Sequence, residues 1–177
     1  MGKVNMTGYY SNKQLGFTLI ELLLYTLIVG SLLIGVTLFY ATASDSRIKN
    51  QSISEVNQQS ALIMGKITQT IRNANNITVP ALGTTGPTLT MTVPTSALSP
   101  TTFSLSGTNI TIKEGTGAEV ALNSSNVQVQ NLLFKNLSTS ATQGNIQVSF
   151  DVKRVNTNGM SVYDYQKTSI SSGELQW

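Results

Sequence analysis

The sequence predicts an α+β fold, with one long N-terminal helix packed on a C-terminal antiparallel β-sheet domain. Three observations predict it. Residues Phe17 to Ala43 form an apolar run with one charge and no proline. From Asp45 to about Asn76, apolar side chains recur at intervals of three and four. Beyond Pro80 they alternate with Ser, Thr and Asn, so the period changes from that of a helix to that of a strand.

The apolar run, FTLIELLLYTLIVGSLLIGVTLFYATA, comes first. As a helix rising about 1.5 Å per residue it spans roughly 40 Å, more than the roughly 30 Å of hydrocarbon in a bilayer. Residues 17–43 are therefore expected to insert in a membrane. Lys3 and Lys13, with no acid before Glu21, favour a cytoplasmic N-terminus. Asp45, Arg47 and Lys49 on the far side keep that asymmetry modest.

Glu21 is the residue that needs a reason. A carboxylate at mid-bilayer costs on the order of 3 kcal/mol, less near a helix end. One reading lets it snorkel to the cytoplasmic interface. The other gives it a partner. A cut between Gly16 and Phe17 would create an ammonium group at Phe17, one helical turn away on the same face. The same ammonium on a neighbouring subunit would neutralise the carboxylate in low dielectric.

The second half of the helix, residues 44–78, is amphipathic. Val56, Ser60, Ile63, Ile67, Ile71 and Ala74 form a stripe on one face, with Lys, Gln and Arg filling the rest. This half needs a globular partner on one side. Residues 79–177 supply it as about seven short strands in one sheet. Leu89, Met91 and Val93 alternate with Thr; Phe103 and Leu105, Ile110 and Ile112, and Val120 and Leu122 follow. Val127 and Val129 lead into Leu133 and Phe134, and Ile146 to Val152 gives the cleanest strand. Asn158-Gly159 reads as a hairpin turn into a last strand at Val162 to Lys167.

Composition narrows the function. Of 177 residues only 11% are charged, and Ser, Thr and Asn dominate the C-terminal part, which suits display outside the cell. There is no Cys and no His, so thiol nucleophiles, disulfides, Cys-containing zinc sites and the commonest general base are all missing. The net charge of +3 is misleading: without Lys3 and Lys13, the 11 basic residues fall to 9 against 8 acidic.

Candidate chemistry is thin. Ser46 and Lys49 match S-x-x-K just outside the membrane. Glu114 to Gly117 is a glycine-bearing turn with neither a P-loop Lys nor a following helix. Asp151, Asp164 and Glu174 are the carboxylates that folding would have to gather to hold calcium, and no EF-hand loop is present. Lys153-Arg154 is the one adjacent basic pair, so nucleic acid is not indicated. Asn76, Asn109 and Asn136 open Asn-x-Ser/Thr triplets of the number expected in so Asn-rich a chain. No catalytic residue, metal site or cofactor is expected.

The string K-Q-L-G-F-T-L-I-E-L-L, Lys13 to Leu23, resembles the leader junction of type IV pilins and type II secretion pseudopilins. The resemblance covers about 30 residues. It implies a leader of residues 1–16, cleavage by a prepilin peptidase between Gly16 and Phe17, N-methylation of Phe17, and a role for Glu21 in register during assembly. It further implies partners: other pilin or pseudopilin subunits through the N-terminal helix, an inner-membrane assembly platform, and membrane lipid before assembly. The location implied is the cytoplasmic membrane before assembly and a cell-surface filament after it. Ile71 to Ala74, running into Asn76-Ile77, is similar to the helix end of minor pseudopilins and tilts the reading toward a minor subunit.

The expected function is thus a structural subunit of a type IV pilus-like filament, not an enzyme. A minor pseudopilin of a type II secretion or competence machine is the alternative within the family, and a membrane-tethered binding or adhesive module the alternative outside it. Two further rivals bear on processing. Ala41-Thr42-Ala43 is an A-x-A pattern, although the apolar run exceeds the roughly 7–15 residues of a secretory core. An uncut anchor explains the span but not Gly16-Phe17 with Glu21.

Overall fold

The computed structural model describes residues 16–139, 144–156, 159 and 164–175. The chain divides into two compact units, Met1–Ser44 and Asp45–Trp177. Helix α1 runs Leu19–Arg72. Nine strands follow among the described residues: β1 (Asn76–Val79), β2 (Thr85–Gly86), β3 (Leu89–Thr92), β4 (Thr101–Ser106), β5 (Asn109–Glu114), β6 (Val120–Ala121), β7 (Val127–Asn136), β8 (Asn145–Arg154) and β9 (Gln166–Glu174). All pairings are antiparallel, as expected, but they build two sheets and not one. The first has the order β1-β3-β4-β5-β6 and the second β2-β7-β8-β9.

The amphipathic stripe folds as its spacing requires. Val56, Ser60, Ile63, Ile67 and Ile71 are buried on α1, and Ser52 extends the buried face one turn further back. The helix stops at Arg72, before the expected end at Asn76, because the backbone changes partner there. Asn73, Asn75 and Asn76 are weak helix formers, the Ala74 amide closes onto Ile71 at 3.1 Å, and the Asn75 amide bonds Thr92 at 2.8 Å. Asn76 and Ile77 then pair with β3.

Both sheets turn their apolar residues inward. Leu89, Met91, Phe103 and Ile110 come from the first, and Val129, Phe134, Ile146, Val148, Phe150 and Val152 from the second; each is buried within one core with Val56, Ile63, Ile67 and Ile71. Each such side chain contributes about 1.5–3 kcal/mol.

Asn123 joins the two sheets. It is buried, its Oδ1 accepts from the Ile110 amide of β5 at 2.9 Å, and its Nδ2 donates to the Val127 carbonyl of β7 at 2.9 Å and to Asn109 Oδ1 at 3.0 Å. Asn123→Leu strands a buried amide and a buried carbonyl, and is expected to cost about 2–4 kcal/mol in the urea unfolding of the protein.

A bulge in β7 changes which leucine is buried. Pairing with β8 slips between Gln130 and Leu133, where Asn131 takes φ 53°, a left-handed conformation that Asn tolerates. The inward set therefore shifts from Val127 and Val129 to Leu132 and Phe134, and Leu133, expected in the inward series, is 45% exposed. Asp151 of β8 fastens the bulge: Asn131 Nδ2 donates to it at 2.7 Å and Thr168 Oγ1 at 2.6 Å.

Those bonds, Thr168 first and then Asn131, hold the Asp151 carboxyl below its ordinary value against a weaker pull from desolvation. As pH falls the unfolded chain takes its proton first, so the stability Asp151 supplies is full above about pH 5 and fades as pH drops through the folded-state value. Asp151→Asn is expected to flatten the acid limb of the unfolding midpoint between about pH 5 and pH 2, and to leave the neutral region's slope unchanged.

Strand β9 lies alongside α1. Lys167 Nζ donates to Asn57 Oδ1 at 2.9 Å, Ser169 and Ser60 share a hydroxyl–hydroxyl bond, and a Cβ added at Gly173 would lie 3.3 Å from Ile71 Cγ2. The spacings agree. Residues 57–71 of a helix cover about 21 Å and residues 167–173 of a strand about 20 Å. Small inward residues on β9 let the helix come close. The expected last strand at Val162 to Lys167 thus overlaps β9 only at its start; Val162, Tyr163 and Asn158 lie outside the described residues.

Candidate functional site

The N-terminal segment leads into α1. Gly16, Phe17 and Thr18 precede the helix as irregular backbone. Among the described residues, a Cβ added at Gly16 would meet nothing within 4 Å. No packing contact among the described residues requires glycine there. Phe17 sets its ring edge-on to Tyr25, with centroids 6.5 Å apart and planes at 79°.

Thr18 and Glu21 start the helix. Thr18 Oγ1 accepts from the Glu21 amide at 3.3 Å, and the Thr18 carbonyl accepts from the Leu22 amide at 3.2 Å. This is the threonine half of a capping box, T-x-x-E, with the carboxylate where the helix dipole favours negative charge. The T-x-x-E spacing is legible in the sequence as a helix start. Glu21 therefore has a local role as well as any role between subunits, and its side chain is exposed.

From Leu22 to Ser44 no residue is charged, a stretch of about 34 Å as helix. α1 is long and apolar enough over this part to cross a membrane. Its large side chains from Phe17 to Tyr40 are 46–80% exposed, a surface that water does not tolerate over such a length. The hydroxyls within it are already bonded to the helix. Thr26 donates to Leu23 O at 2.9 Å, Ser31 to Ile28 O at 2.8 Å, Thr37 to Leu33 O at 2.6 Å and Thr42 to Phe39 O at 2.9 Å. Lipid can thus surround this segment with no stranded donor from those four residues.

Outside that segment the other candidates separate. Glu174 pairs opposite Asn145 and Asp151 opposite Thr168, six residues apart on β8, or about 20 Å. Asp164 accepts instead from Asn156 at 3.0 Å. The three carboxylates weighed for calcium are not brought together. Lys153 and Arg154 point to opposite faces of their strand. Arg154 turns toward α1, donating to Ser52 Oγ at 2.9 Å and lying 3.6 Å from Glu55. Ser46 and Lys49 are exposed on α1.

Gly115 of the Glu114–Gly117 turn sits at φ 55°, where its amide bonds Leu98 and Pro100 carbonyls, so that glycine serves the turn. Asn136 is buried with Nδ2 bonded to the Pro80 carbonyl at 2.8 Å, which closes its triplet to a glycan. A groove of about 550 Å³ near the end of α1, lined by Lys66, Arg72, Asn73, Leu98 and Glu114, was not legible in the sequence because its walls come from three separate segments.

Against protein-family models, curated proteins and solved structures, the chain finds no match. Among the described residues Gly16 and the lipid-compatible span after it make no packing contact that explains them, and Glu21 exceeds what a helix cap needs, since an uncharged Gln serves the same position.

Proposed function

We propose that this chain is a structural, minor subunit of a type IV pilus-like filament, and not an enzyme. The observation that carries it is the uncharged, unburied helix that begins directly after Gly16-Phe17-Thr18-Leu19-Ile20-Glu21. A prepilin peptidase cuts between Gly16 and Phe17 and methylates Phe17. Until assembly the span rests in the cytoplasmic membrane, leader inward and β domain outside. The span then leaves the bilayer to pack among equivalent helices, exchanging lipid contact for protein contact. Glu21 meets the Phe17 ammonium of a neighbour and fixes register.

The reading is supported by the lack of a packing contact at Gly16 among the described residues and by hydroxyls that are already bonded within the span. Its test is the intact mass and N-terminal sequence of the protein from its native membrane. A chain starting at Phe17 with one added methyl group is expected. A chain starting at Met1 or Ser44 would overturn the proposal.

A further inference from the structure

Phe17 and Tyr25 are far apart in sequence, yet their rings meet edge-on in the one aromatic pair among the described residues. The start of the helix explains how. With Thr18 as the cap, Phe17 is the residue before it and Leu22 the fourth residue of α1. Apolar groups at those two places form a hydrophobic staple, which fixes the angle at which a chain enters its helix. Tyr25 lies one turn beyond Leu22 on the same face. Phe17, Leu22 and Tyr25 line one cleft of about 250 Å³.

An aliphatic staple would hold poorly in a bilayer. Lipid is as apolar as leucine, so packing one such side chain on another gains little there. Two rings attract without help from water, because the positive edge of one meets the negative face of the other. The observed separation of 6.5 Å and angle of 79° satisfy that geometry. The contact also bears on the backbone beside Gly16. Residues 16–18 are irregular and Leu19 opens the helix. Lys13, Gln14 and Leu15 are good helix formers, so a looser start would favour extending α1 back through Gly16. That extension would enclose the Gly16–Phe17 bond in a hydrogen-bonded turn, whereas chains are cut preferentially in exposed irregular backbone.

We infer that Tyr25 is a positioning residue, on the substrate side, for the cut between Gly16 and Phe17. It pins the Phe17 ring to α1 and so keeps the scissile bond in irregular backbone just ahead of the helix, open to the peptidase. The cut itself is a hydrolysis: water adds its hydroxyl to the Gly16 carbonyl carbon as the C–N bond breaks, leaving a Gly16 carboxylate and a Phe17 ammonium. The inference rests on the processing proposed above, and it adds a determinant that lies outside the Lys13–Leu23 motif.

The test mixes the full-length protein in lipid vesicles with a prepilin peptidase and follows the loss of residues 1–16 by intact mass. Tyr25→Ala is expected to be cut about two- to tenfold more slowly than the native chain, the range that one ring pair supplies. Tyr25→Phe keeps the ring and is expected to be cut at the native rate, while Tyr25→Leu keeps only bulk and is expected to stay slow. Tyr40→Ala, 74% exposed near the far end of the apolar run, is expected to match the native chain and controls for a general effect on insertion. Phe17→Ala loses the same pair, so adding Tyr25→Ala to it is expected to slow cutting no further. Tyr25→Ala cut as fast as the native chain, or Tyr25→Leu as fast as Tyr25→Phe, would overturn the inference. Independent losses in the double variant would overturn it too. A native chain left uncut after Gly16 would instead overturn the proposed function and take this inference with it, so the two failures are told apart.

Discussion

Glu21→Ala is expected to leave the chain inserted and cut, and to lower its incorporation into filaments about a hundredfold. In an assembled helix bundle the carboxylate and a neighbour's ammonium share a low-dielectric site, and removing one member of such a pair costs about 3–5 kcal/mol. Each 1.4 kcal/mol is about a factor of ten in an equilibrium constant, so the loss spans at least two decades. The capping bond from the Glu21 amide to Thr18 offers a local explanation that has to be separated from this one. Glu21→Gln does so. Glutamine serves the third helical position of a capping box as glutamate does, but carries no charge. If charge pairing is what matters, Gln fails as badly as Ala when the subunit is quantified in sheared filaments against the membrane fraction. If the cap is what matters, Gln assembles normally and Thr18→Ala is the damaging change. That second outcome would remove Glu21 from the assembly mechanism.

The second large effect separates two adjacent leucines. Leu132→Ala should cost about 2–5 kcal/mol, whereas Leu133→Ala should change stability by no more than about 0.5 kcal/mol. Leu132 is 3% exposed and Leu133 45%, because the bulge at Asn131 turns the strand by one residue. Paired urea titrations of the two variants read this directly. Equal losses would mean that the strand runs in the unbroken alternation of Val127, Val129 and Leu133, without the bulge.

That bulge also marks where the sequence stops being readable. Alternation carries phase only as long as the strand is regular, and the polar Asn131 gives no sign by itself that the count has changed. The stripe from Val56 to Ile71 was legible because every position has one role, facing the sheets. β9 was not. Its inward positions are Lys167, Ser169, Ser171 and Gly173, chosen for the close approach of α1, so the strand has no inward apolar series to announce it. The partition into two sheets depends on long-range pairing, such as Thr85 with Lys135 and the Asn123 bridge, which no local period encodes. Of the candidate site, Gly16, Phe17 and Glu21 are legible as a motif alone. The structure adds the Thr18 cap and the bonding of the span's hydroxyls, both set by local helix geometry.

The alignment of β9 with α1 has a mechanical consequence. Tension that enters the β domain along α1 meets the Asn57–Lys167, Ser60–Ser169 and Ile71–Gly173 contacts side by side, since the two elements run together over about 20 Å. Contacts arranged in this way share a load in shear, where a strand set across the helix would give way one contact at a time, like a zipper. A pull along residues 57–71 therefore has to break the interface as a whole, and the β domain resists force best along the direction that β9 shares with this part of the helix.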